Sequence, residues 1–101
     1  MLVRIVKLTL KKEHIADFEA LFENHKKRIV QVKGCTFLEL LQDVDNEHIF
    51  FTHSYWNGSA DLENYRRSEY FGEVWKSAKA LFSDKAEAWS LHKNQTFNRP
   101  T

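Results

Sequence analysis

A chain of 101 residues, 43% hydrophobic and 29% charged, has room for one domain with a thin core. One Pro and three Gly exclude a disordered or low-complexity chain, and a net charge of +1 with both signs interspersed excludes nucleic-acid binding by charge alone.

The opening stretch "LVRIVKLTL" reads as a strand from Leu2 to Leu10 by its β-branched content and period. Leu2, Arg4, Val6, Leu8 and Leu10 share one face; Val3, Ile5, Lys7 and Thr9 share the other. Both faces are partly apolar, whereas a sheet with one wet face alternates more cleanly. The second face is therefore expected to be covered, in so short a chain by another copy of itself.

From Glu13 to Val32 the period becomes helical, with Ile15, Phe18, Phe22, His25, Ile29 and Val32 on one stripe and Gly34 suited to end the helix. "CTFLELLQD" is the second strand, "DVDNE" a turn built on Asp45 and Asn46, and "HIFFTHSYW" the third strand. Ser59 is the expected N-cap of a short helix ending near Arg66, with Asp61 in its first turn. Ser68 caps the next helix, which carries Phe71, Trp75, Ala78 and Phe82 on one stripe. "AEAWSLHK" is the last strand.

The order β-α-β-β-α-β, with its second helix broken near Ser68, predicts an α+β fold of the ferredoxin-like kind. Its four-stranded antiparallel sheet carries helices on one face, and a homodimer packs sheet to sheet on the other. The domain spans 1–93, and 94–101 form a tail. Met1 leads directly into a strand rather than an apolar signal segment, and no stretch approaches the ~20 apolar residues of a membrane span. With Cys35 as the lone cysteine, the expected location is cytoplasmic, with no membrane partner.

Eight of the fourteen aromatic residues lie between Phe50 and Trp75. Tyr65, Phe71 and Trp75 keep broken helical spacing on the inward side. A stripe of rings is usually core, but rings that cannot fill a thin domain leave a slot for another flat ring. With Phe18, Phe22 and Trp56 they are the expected substrate pocket. His25, on the apolar stripe of the first helix, is the expected general base; the bland reading is a core histidine bonded to a carbonyl or a Tyr hydroxyl. His53 joins it as the second catalytic residue if its face of the third strand meets the helices, and is otherwise an interface residue.

Other readings are structural. Arg4 and Glu39 are expected to pair within the sheet, Cys35 to pack as a small hydrophobe, and Lys26-Lys27-Arg28 and Arg66-Arg67 to lie on solvated faces. The five histidines lack metal-ligand spacing, and there is no Gly-rich phosphate loop, G-x-S-x-G or H-E-x-x-H. No metal or cofactor is expected.

In "FFTHSYWNGSADLENYRRSEYF" an aromatic strand ends in Trp, a Ser-led helix follows, and then a Tyr, a Ser and a Phe. With "LELLQD" and the element order, this pattern resembles the antibiotic biosynthesis monooxygenase domain over roughly Met1 to Lys93. The resemblance implies a dimeric α+β barrel with a cavity between helices and sheet in each subunit. Such proteins include cofactor-independent monooxygenases of polycyclic aromatics, quinol oxygenases, haem-degrading enzymes and an isomerase of a phosphorylated sugar. The haem-degrading pattern of Asn, Trp and His falls here on Val6, Tyr65 and Trp75, and none matches. An indole N–H also has no lone pair to offer iron.

The expected function is a cofactor-independent monooxygenase acting on a small aromatic or quinol-like metabolite. "FENHKK", with Asn24-His25, and "LQD" also look like segments of the isomerase, which leaves an acid-base isomerase of a small phosphorylated metabolite as an alternative. That reading requires inward Arg or Lys, with Arg4, Arg28 and Lys7 available. A third reading is a non-catalytic dimeric protein that binds a hydrophobic ligand. RNA-recognition motifs share the strand-helix order, but the third strand lacks their Gly-rich aromatic signature, so no nucleic-acid partner is expected.

Overall fold

The computed structural model describes residues 1–101. Strands β1 (Leu2–Thr9), β2 (Cys35–Gln42), β3 (Ile49–Trp56) and β4 (Glu87–His92) form one antiparallel sheet in the spatial order β2-β3-β1-β4. Helices α1 (Ile15–Val30), α2 (Ser59–Arg66) and α3 (Glu69–Lys79) complete the ferredoxin-like order, with the expected break around Ser68. A 3-10 turn at Lys12–His14 leads into α1, so the helix proper starts two residues after Glu13.

Register decides which side chains meet. In β1, Leu2, Arg4, Val6 and Leu8 stand opposite Trp56, Ser54, Thr52 and Phe50 of β3. Cross-strand partners share a side of the sheet, so this set lies together under the helices. Val3, Ile5, His53 and Tyr55 share the far side. Strand β2 is brought into phase by an extra residue between Cys35 and Phe37. That bulge lets Cys35 pair with Trp56 on the helix side while Phe37, Glu39 and Leu41 pair with Tyr55, His53 and Phe51 on the far side.

The core beneath the helices is in two pieces. One is Leu8, Leu10, Phe18, Phe50 and Ala78; the other is Leu2, Cys35, Trp56 and Leu62. Trp56, Phe50 and Leu10 are the largest fully buried side chains, and each contributes about 1.5–3 kcal/mol by leaving water. On the far side no helix covers the sheet. There Phe37 stacks on Tyr55 at 4.7 Å, the His53 ring meets both edge-on, and Trp89 and Leu91 stay 44% and 46% exposed.

Several local expectations change. Ser68 does cap α3, its Oγ accepting from the Phe71 N–H at 3.1 Å. Ser59 does not cap α2: it is the first helical residue, and Gly58 holds the cap position without a side-chain bond. The turn is organised by Asp43, whose carboxylate accepts from the backbone N–H of Asp45 and of Asn46, both at 2.8 Å. Helix α3 stops at Lys79 rather than Phe82, because residues 81–83 are drawn into pairing with the end of β1. Lys11 N–H donates to Leu81 O and Ser83 N–H to Thr9 O, and Leu10 bridges Phe82. Arg4 and Glu39 form no ion pair: register puts them on opposite sides of the sheet, and Glu39 meets His53 at 3.1 Å instead.

Gly34 follows α1 with φ +88°, and a Cβ there would overlap the Asp61 side chain. Both the left-handed backbone and the overlap oppose any other residue. Gly34→Ala is expected to lower stability by about 1–3 kcal/mol; an unchanged urea midpoint would contradict this. Cys35 is 9% exposed, and burial raises its thiol above the ordinary range. At neutral pH its modification by a thiol reagent should follow unfolding; rapid labelling of the folded protein would show the packing to be wrong.

Candidate functional site

Between the two core clusters lies a cavity of about 290 Å³ bounded by the sheet, α1, α2 and α3. It is hollow because its floor is made of short side chains. Val6 stands beside Thr52 on one flank and Ala88 on the other, with Ala86 nearby and Ala78 on the roof. The volume sits at the lower end of the about 300–1,000 Å³ typical of small-molecule sites. Ala88 is exposed on edge strand β4, so the cavity opens on that side.

The walls come from helical spacing. Phe18, Phe22, His25 and Ile29 project from α1 at steps of three and four. On the opposite wall the rings form a continuous run. Trp56 stacks on Tyr65 at 5.3 Å, Tyr65 meets Phe71 edge-on at 5.0 Å, Phe71 stacks on Trp75 at 5.8 Å, and Trp75 meets Phe82 edge-on at 5.6 Å. Trp56 is oriented from below, its indole N–H donating to Ser54 Oγ at 3.0 Å. All six residues expected to form a pocket, Phe18, Phe22, Trp56, Tyr65, Phe71 and Trp75, line this one hollow.

The two histidines part company. His25 lies in the cavity wall, with Nδ1 2.7 Å from the Tyr70 hydroxyl and Nε2 making no hydrogen bond within the chain. His53 does not reach the cavity. An odd position in β3 faces the uncovered side, where it contacts Glu39, Phe37 and Tyr55. Its assignment as a catalytic partner of His25 is therefore corrected to a residue of the bare face.

Tyr70 and Arg66 are not among the residues expected at the site, and Arg4 is expected there only under the isomerase reading. Tyr70 joins the site through His25, with the Arg28 guanidinium 3.7 Å above its ring. Burial pushes the pKa of its hydroxyl up despite Arg28, so the phenol stays neutral. Arg66 is exposed, as expected, yet it also lines the cavity mouth. It follows Leu62, buried under α2, by one turn, a spacing that would have identified it. Arg4 lies on the floor and donates to Ser90 Oγ at 2.9 Å. Burial lifts the Tyr65 phenol far above its ordinary value, leaving it a neutral donor with no hydrogen-bond partner in the chain. No three His, Cys, Asp or Glu side chains come together as a metal site, and no helix is long and apolar enough to cross a membrane.

The arrangement offers a flat apolar slot, one imidazole with a free nitrogen, and neutral phenols. Solved structures share the frame. SnoaB, a cofactor-independent oxygenase from Streptomyces nogalater solved as a point mutant, superimposes with a TM-score of 0.86 at 16% identity, over 97% of each chain. A protein from Deinococcus radiodurans provisionally described as an antibiotic biosynthesis monooxygenase gives 0.88 at 15%, over 100% of each chain. A conserved protein of Methanosarcina mazei gives 0.83 at 21%, over 90% of this chain and 91% of its own. At such identities these likenesses speak for the fold alone. No curated protein sequence matches the chain. The model of the antibiotic biosynthesis monooxygenase family matches residues 1–77, more than half of the sequence, and the chain belongs to that family.

Proposed function

We propose that this protein is a cofactor-independent monooxygenase of a small aromatic or quinol-like metabolite bound in the cavity. The observation that carries the reading is His25, held through Nδ1 by Tyr70 with Nε2 free, in the wall of an aromatic-lined hollow. For Nε2 to act as a base, Nδ1 must carry the ring proton and donate it to the Tyr70 oxygen. Tyr70 then fixes both the tautomer and the ring's orientation.

In this reading Nε2 takes the proton of a substrate hydroxyl. The phenolate supplies electrons to O₂, a C–O bond forms at an activated ring C–H carbon, and the resulting peroxide takes the proton back from Nε2 to become a hydroperoxide. Loss of water from that carbon leaves a quinone carbonyl, so one oxygen atom enters product and the other leaves as water. The protein's share is to hold the ring flat, accept one proton and keep bulk water out. Tyr65, as a neutral donor, is positioned to bond the oxygen that gains charge. The SnoaB neighbour, described as a cofactor-independent oxygenase, is consistent with this class of chemistry.

We further propose a homodimer through the bare sheet face, where Phe37, Tyr55, Trp89 and Leu91 gather without cover. A single free cysteine suits the reducing cytoplasm as its place of work.

Oxygen uptake should appear with hydroquinones or polycyclic phenols and fall about 10²–10⁴-fold in His25→Ala, while tryptophan quenching shows substrate still bound. Stoichiometric binding with no oxygen consumed across the panel would replace the enzyme by a binding protein. Sedimentation should give a dimer that Phe37→Glu turns into monomer; a monomeric wild type would refute the interface.

A further inference from the structure

One row of the sheet breaks the apolar floor. Ser54 of β3, Arg4 of β1 and Ser90 of β4 stand in register on the cavity side. Arg4 is half-buried and has no carboxylate partner; its one side-chain bond is to Ser90 Oγ. Arg66 lines the same end of the site and is bonded to Glu63 at 3.3 Å. Glu63 is also bonded to Arg67 at 3.2 Å. One carboxylate thus serves two arginines beside α2, and none pairs with Arg4. Burial and the adjacent Arg66 charge both weaken Arg4's hold on its proton, with Glu63 opposing them only in part.

A guanidinium taken partly out of water, beside a like charge and without an anion, costs stability unless a ligand supplies the missing charge. We propose that Arg4 and Arg66 form a carboxylate-binding subsite, so that the substrate is an aromatic acid whose rings occupy the apolar slot. A planar guanidinium matches a carboxylate through two parallel N–H bonds. A small polar phosphate ester is disfavoured because most of the remaining wall is apolar, with polar side chains only at His25, Thr52, Ser54 and Tyr65, too few to partner the body of such a ligand. The subsite deepens the oxygenase reading by naming its substrate class, but binding itself requires no turnover.

The test uses a hydroxynaphthoic acid, its primary amide and the corresponding naphthyl phosphate, with binding followed by quenching of Trp56 and Trp75, which line the cavity. The acid should bind about 10–100-fold more tightly than the amide, and the preference should shrink as salt rises. Arg4→Met should remove the preference and leave amide binding intact. Arg66→Met should reduce it, and it carries the test alone if Arg4→Met does not fold. Lys27→Met, exposed on α1 and outside the cavity, should change nothing. Equal binding of acid and amide, an acid preference that survives in both Arg4→Met and Arg66→Met, or tighter binding of the phosphate would each overturn the assignment. An acid preference without oxygen uptake would leave the subsite standing and remove the oxygenase reading.

Discussion

The register of β1 between β3 and β4 is the constraint on which everything else rests. A side chain on these strands has two destinations, under the helices or away from them, and a slip of one residue would exchange the two sets. The slip is costly because it would drive Lys7 of the far set under the helices and lift buried apolar residues out. Leu2, Leu8, Phe50 and Trp56 are buried beneath the helices, while Val3, Ile5, Phe37 and Tyr55 gather on the opposite side. Arg4 and His25 share a cavity, and His53 is excluded from it, for the same reason.

Small residues turn that register into a site. Val6, Thr52 and Ala88 lie side by side on the floor, where larger residues would have joined the two core clusters. Helix α1 brings His25 over this gap, and α3 brings Tyr70 against His25. The same shortage of bulk that weakens a thin core creates the volume for a ligand.

Much of this was legible in the residues. Period two in β1 and periods of three and four in α1 and α3 identify the elements, and the excess of apolar residues on both faces of β1 anticipates a bare face needing cover. Of the rings clustered before Trp75, Trp56, Tyr65 and Phe71 line the cavity with it, whereas Phe51 and Tyr55 lie on the far side of the sheet. Three features were hidden by long-range pairing. The face of His53 depends on how β3 aligns with β1. The bulge after Cys35 separates Arg4 from Glu39 although both lie in apolar strands. The retreat of residues 81–83 from α3 answers to the end of β1, with Ser83 and Thr9 74 residues apart in the chain. Arg66 is a different case: its spacing from Leu62 held the information, but a pair of adjacent arginines reads as solvated surface.

The divided core carries a thermodynamic implication. Its two halves are joined along one wall by the run of rings from Trp56 to Phe82 and parted by the cavity elsewhere, so on the cavity side each is free to loosen apart from the other. A flat guest wedged between them would touch both, tie their melting together and raise the transition temperature with the logarithm of its concentration relative to its Kd. Heat resistance therefore becomes a reporter of the natural ligand, and a library of compounds sorted by that shift alone would identify it with no knowledge of the reaction.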